Sequence, residues 1–157
     1  MGAIEEYQRV NERYTYLTDQ RDDVDKAKKE LEDIIGAITG EMKTIFAREF
    51  KVINEAFGQT FHELFRGGRA TLELEDPEDI LNCGIEIKVQ PPGKQVKTIT
   101  LLSGGEKAFV ATALYFAILK VRPTPFCLLD EIDAALDDRN VERFASYLHN
   151  LSKKTQF

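Results

Sequence analysis

The chain has 157 residues, 43% hydrophobic and 31% charged, with 21 basic against 27 acidic residues and a net charge of −6. These figures fit one domain with a sizeable core and exclude a disordered chain or an overall cationic coat for nucleic acid, though not a local basic face. No apolar run reaches the ~18 residues that cross a bilayer, the start Met1-Gly2-Ala3-Ile4-Glu5-Glu6 does not read as a signal peptide, and the only cysteines, Cys83 and Cys127, form neither a disulfide framework nor a zinc set; the expectation is a soluble protein of a reducing, cytoplasmic compartment with no membrane partner.

Residues 3 to about 66 contain no proline and only isolated glycines. Apolar residues recur there at alternating three- and four-residue steps, through Val10, Tyr14, Leu17, Val24, Leu31, Ile35, Ile38, Met42 and Ile45, with Arg21 and Lys28 at the two skipped places of the seam and charges of both signs around it. This heptad pattern predicts a coiled coil whose partner strand comes from elsewhere. Some 60 helical residues would span roughly 90 Å, which predicts an arm. From Phe46 the pattern changes to Phe50, Ile53, Phe57, Phe61, Leu64 and Phe65, too aromatic for a simple seam, and this stretch is expected to dock into a core. The predicted division is therefore an arm over 1–45 and a compact lobe over 46–157. Gly67-Gly68 should stop the helix, since glycine takes the left-handed cap conformation.

Thr71–Glu75 and Ile85–Val89 alternate apolar and charged residues as half-buried strands do, and Val96–Leu101 reads as a further short strand. Residues 105–121 read as a helix that is apolar nearly all round and so buried. Phe126-Cys127-Leu128-Leu129 reads as a central strand covered on both faces, ending in acids. Val141, Phe144, Ala145 and Leu148 mark one face of a last helix.

Three constellations carry chemistry. Leu102-Ser103-Gly104-Gly105-Glu106 opens the apolar helix. Serine and glycines at a helix start suit an anion, because backbone N–H groups can approach it and the dipole favours negative charge. Ser103 and Glu106 also have capping-box spacing, which accounts for those two residues but not for the paired glycines. Asp130-Glu131 follows the apolar run, and ligands of open α/β sheets bind beyond such strand ends. Asp130 could hold magnesium, mainly through water, and Glu131 could take a proton from an attacking water; an acidic strand end facing solvent is the plainer reading. In Ala134-Ala135-Leu136-Asp137-Asp138 either aspartate could cap the last helix, with Asp138 the default. Cys127 reads as a small core hydrophobe, and His62 and His149 as incidental helix residues.

Taken in order, these segments resemble the C-terminal half of an ABC-type ATPase head. Leu102–Glu106 is similar to its signature loop, Phe126–Glu131 to Walker B, and Ala135-Leu136-Asp137 to its D-loop. The long helix narrows the resemblance to the structural maintenance of chromosomes (SMC) family. Phe65-Arg66-Gly67-Gly68-Arg69-Ala70, Val89-Gln90-Pro91-Pro92-Gly93-Lys94 and Leu119-Lys120-Val121-Arg122-Pro123 are similar to its bacterial chromosomal members. The implied fold class is α/β: half of a P-loop NTPase head, with an incomplete sheet and a long N-terminal coiled-coil helix. The resemblance stops at the Walker A loop. The only Gly-Lys is Gly93-Lys94, with Lys88 at the first glycine's place and Gln95 at the hydroxyl's. A switch histidine is likewise not found where the family has one.

The resemblance implies ATP and Mg as cofactors and four partners: the N-terminal head half, a second head, a kleisin subunit and DNA. It implies that Ser103 and Gly105 contact the γ-phosphate held by the opposing head, that Asp130 supports magnesium, that Glu131 is the catalytic base, and that Asp137 communicates across the dimer. The chain alone is then expected to be an inactive part of an ATPase for chromosome condensation and segregation, acting in the cytoplasm on the nucleoid. Two alternatives stand beside it: a head half of an SMC-like double-strand-break repair ATPase, and a non-catalytic kleisin-binding scaffold. Arg66, Arg69, Lys94 and Lys97 could add to a basic face for DNA or be solvated charges.

Overall fold

A computed structural model describes residues 2–95 and 97–157. In chain order the elements are α1 (Gly2–Phe65), β1 (Arg69–Leu74), β2 (Ile85–Gln90), β3 (Lys97–Thr98), a 3₁₀ turn (Ile99–Leu101), α2 (Gly104–Val121) and α3 (Asp138–Leu151). The chain divides into two compact units, Met1–Thr44 and Ile45–Phe157.

The first unit is the N-terminal part of α1. Its seam residues are exposed, among them Leu31 at 60% and Ile38 at 52%. A helix that leaves such a stripe in water has not yet buried the face its periodicity was built for.

The second unit is organised by aromatic rings. Phe57 and Phe61 of α1 and Phe109 and Phe116 of α2 are fully buried, each contributing about 2–3 kcal/mol by leaving water. Phe61 stacks on Phe65 at 4.1 Å between ring centroids, and Phe65 meets Phe109 at 4.7 Å. Phe116 packs on Phe144 and Tyr147 of α3 at 5.8 and 5.5 Å. The buried Thr60 hydroxyl and Tyr147 phenol share a hydrogen bond of 3.2 Å, so neither oxygen is orphaned. Burial pushes the Tyr147 phenol above its ordinary value.

Helix α1 stops at Phe65, just before the expected glycine pair, and both glycines take positive φ (132° and 82°). The left-handed stretch begins one residue earlier, at Arg66 with φ of 55°, and the Gly67 N–H closes the turn on the His62 carbonyl at 2.9 Å. Gly68 is required for another reason: a Cβ there would lie 2.3 Å from the Gln90 carbonyl oxygen.

The sheet has the order β1-β2-β3 and is antiparallel throughout. Ala70, Leu72 and Val89 point into the core. On the outer face Glu73 lies opposite Glu86, and Lys88 bridges both at 2.6 and 3.6 Å, which offsets the like-charge pair. Hydrogen bonding to Glu73 holds the Lys88 ammonium above its ordinary range. The free edge of β1 is covered by Asn54 of α1, whose side-chain amide donates to the Leu72 carbonyl at 3.0 Å and accepts the Leu72 N–H at 2.8 Å.

Three expectations are corrected. The strand expected over Val96–Leu101 is β3 plus the 3₁₀ turn, and Val96 lies outside the described residues. Helix α2 is not buried all round: Ala111, Tyr115 and Ile118 remain exposed along one side. The central strand expected at Phe126–Leu129 is an isolated parallel bridge between Phe126 and Gln156, with Leu128 at 90% exposure and Phe126 at 65%. A strand needs hydrogen-bonding neighbours, and among the described residues only Gln156 provides one, through Cys127 N–H to its carbonyl at 2.8 Å and its own N–H to the Pro125 carbonyl at 3.0 Å.

Candidate functional site

The start of α2 is built from Leu102 upward. Leu102 is buried and anchors the turn, while Ser103 and Gly104 face solvent. Ser103 is the N-cap, and the capping box anticipated from its spacing to Glu106 is present. The Ser103 hydroxyl accepts the Glu106 N–H at 3.4 Å and donates to Glu106 Oε2 at 3.1 Å; the same carboxylate oxygen accepts the Ser103 N–H at 3.3 Å. Glu106 Oε1 is paired with the Lys94 ammonium. That pairing, helped by the two bonds from Ser103, holds the Glu106 carboxyl below the usual carboxylate range. Among the described residues the Gly104 and Gly105 amides reach no acceptor. Two free N–H donors at the positive end of an 18-residue helix can receive an anion.

The second glycine also has a local reason. A Cβ on Gly105 would lie 2.9 Å from the Ala135 carbonyl oxygen, whereas one on Gly104 would meet nothing within 4 Å. The close approach brings Ala135-Leu136-Asp137 against the Ser103 loop. Leu136 is half-buried at the edge of the core, and Asp137 caps α3 by accepting the Asn140 N–H at 2.8 Å. The default assignment of that cap to Asp138 is therefore corrected: Asp138 is the first helical residue. The reason is conformational, since Asp137 has the extended backbone (φ −75°, ψ 163°) from which a side chain reaches back to the first turn.

Asp130 and Glu131 are both exposed, and among the described residues neither carboxylate takes part in a hydrogen bond or ion pair. Glu131 has φ of 48°, a left-handed conformation that costs a residue with a side chain about 1–3 kcal/mol. The turn is held by the Ala134 N–H on the Glu131 carbonyl at 3.1 Å. A hollow of about 360 Å³ opens beside the acids, lined among others by Leu128, Leu129, Phe144 and Phe157. Among the described residues no three His, Cys, Asp or Glu side chains gather as a metal cluster. As a lone exposed carboxylate, Asp130 has oxygen donors of the kind hard cations prefer.

The structure brings Gly105 to Ala135, but no hydrogen bond or ion pair joins Asp130 or Glu131 to the Ser103 loop among the described residues. Sequence reasoning missed Lys94 and Asn54 as structural partners. The only signal for Lys94 was its place after a Pro-Pro-Gly turn, which says nothing of where the ammonium lands.

Comparison with known proteins gives the family. The model of the "RecF/RecN/SMC N terminal domain" family matches residues 6–157. The chromosome partition protein Smc of Bacillus subtilis is 52% identical over 157 residues, which is 100% of this chain and 13% of that protein. The chain therefore spans about an eighth of the length of that relative. A crystal structure of the Smc head domain with an extended coiled coil, bound to the C-terminal domain of ScpA and derived from Pyrococcus furiosus, is 44% identical with a TM-score of 0.73, over 97% of this chain and 38% of that one. A structure from work on ATP-driven dimerization and DNA-stimulated activation of SMC ATPases is 48% identical with a TM-score of 0.69, over 73% of this chain and 70% of that one. The long helix and small sheet match the Smc head with its coiled coil, and the chain belongs to the RecF/RecN/SMC family.

Proposed function

We propose that the chain is the C-terminal half of an Smc ATPase head, inactive alone and completed by an N-terminal half that carries the Walker A loop. One observation carries this reading: among the described residues, free Gly104 and Gly105 amides at a helix start and an exposed, unpaired Asp130-Glu131 occur in a chain with no Gly-x-x-x-x-Gly-Lys-Ser/Thr sequence. The exposed Leu128 and Phe126 support it, because an apolar run beside free carboxylates is what a neighbouring strand would cover.

In this reading two heads engage around ATP. Ser103 and the Gly104 and Gly105 amides donate to the phosphate presented by the opposing head, so turnover requires engagement. Glu131 orients a water and takes its proton at the carboxylate. Asp130 would hold magnesium, which when bound would neutralise phosphate charge. Asp137 communicates across the dimer, and the Gly105–Ala135 approach sets its segment against the Ser103 loop of its own head. Similarity to heads bound to ScpA supports a kleisin partner, and similarity to DNA-stimulated SMC ATPases supports action on DNA; chromosome segregation and condensation in the cytoplasm are part of the proposal.

The test is ATP turnover by this chain, by the N-terminal half, and by the two together. Neither alone should turn over, the mixture should, and Glu131→Gln in the mixture should abolish turnover while retaining an ATP-dependent dimer. A mixture without turnover, or full turnover by the Glu131→Gln mixture, would overturn the proposal.

A further inference from the structure

We propose that Lys94 is a positioning residue of the Ser103 loop, neutralising and holding Glu106 so that the start of α2 can accept a phosphate group. This rests on the reading of that loop as a phosphate contact, and it begins from a conflict of charge. The free N–H groups and the dipole at the start of α2 favour an anion. Yet the first turn carries its own carboxylate, Glu106, fixed at the mouth of the loop by the capping box. Left alone, that negative charge would repel an incoming phosphate.

Lys94 answers the conflict from another element. It stands in the turn between β2 and β3 and pairs with Glu106 Oε1, leaving Oε2 for the Ser103 N–H and hydroxyl. The ammonium is not there by chance flexibility of a neighbour in sequence. Its turn is braced by buried Pro91, whose carbonyl accepts the Lys94 N–H at 3.1 Å, and by Gln90, whose side-chain amide donates to the Lys94 carbonyl at 3.2 Å.

Two effects follow. The net charge of the Lys94–Glu106 pair is zero, so the helix start keeps its positive character. The pull on Oε1 also fixes the carboxylate that takes the Ser103 O–H. Phosphate and Glu106 therefore compete for one hydroxyl, and Lys94, by sharing the Glu106 charge, weakens the internal competitor.

The experiment uses the full-length polypeptide carrying this sequence. Turnover is measured over a range of ATP concentrations for the parent, Lys94→Met, Lys94→Arg and the double variant Lys94→Met/Glu106→Gln. Thermal unfolding of each serves as the check on folding, since Lys94 is exposed. Lys94→Met should raise the ATP concentration for half-maximal turnover roughly two- to fivefold, the size of a charge effect at a helix start, without a matching change in unfolding. Lys94→Arg should stay near the parent. Glu106→Gln in the Lys94→Met background should recover most of the loss, because glutamine keeps the capping box without the charge. Unchanged half-saturation in Lys94→Met, or no recovery by the double variant, overturns the role of Lys94 and leaves the proposed function standing. A parent without turnover overturns the phosphate reading and this inference with it.

Discussion

Gly104 and Gly105 stand side by side with opposite surroundings. Adding a methyl group at Gly105 drives it against the Ala135 carbonyl, and backbone can give way only by moving the segment that caps α3. Gly105→Ala should therefore destabilise the chain by about 1–3 kcal/mol, the usual cost of overpacking. Gly104→Ala meets open space in a helical first turn, and should be neutral or stabilising by up to about 1 kcal/mol. Urea denaturation of the two variants checks both; equal effects would show that the Ala135 approach does not constrain Gly105. At this scale the Ser103–Glu106 box was legible in the sequence because its partners are three residues apart. Lys94 was not, because it lies twelve residues from Glu106 and arrives through a turn of the sheet. The left-handed backbone of Glu131 was also illegible, since no residue type announces it there.

Among the elements, α1, β1 and β2 could be read from periodicity because each has one face toward a core or a seam. The side of α2 left in water could not, since apolar residues look alike in sequence whether their cover is present or not. The same holds for Phe126–Leu129: strand character belongs to a residue and its neighbours jointly, and among the described residues only one neighbour is provided. The exposed seam of the first unit leads to a test. Leu31→Lys with Ile38→Lys changes two exposed positions, so urea unfolding of the second unit should shift by less than about 0.5 kcal/mol. Helical content by circular dichroism should rise with protein concentration in the parent and not in the double variant, because only the parent can pair its seam. Concentration-independent helicity in both would show that the seam does not pair with a second copy of this chain.

For the molecule as a whole, the second unit has a packed aromatic interior and an apolar exterior around one segment. The Tyr115 phenol and the Cys127 thiol share a hydrogen bond of 2.9 Å, which sets the exposed side of α2 beside Phe126 and Leu128. Leu128→Asp should leave stability within about 0.5 kcal/mol, since the side chain is in water. It should reduce self-association in sedimentation and abolish complementation by the N-terminal half; retained complementation would show that this face is not where the halves join. The bond from Thr155 Oγ1 to the Thr124 carbonyl, at 2.9 Å across 31 residues, has a wider consequence. With the Pro125–Gln156 and Cys127–Gln156 bonds it ties off a loop that contains both the free acids and α3. Closing a loop at its base removes chain freedom from all the residues inside it, so slack introduced at the knot is shared by the carboxylates and by the helix that Asp137 begins.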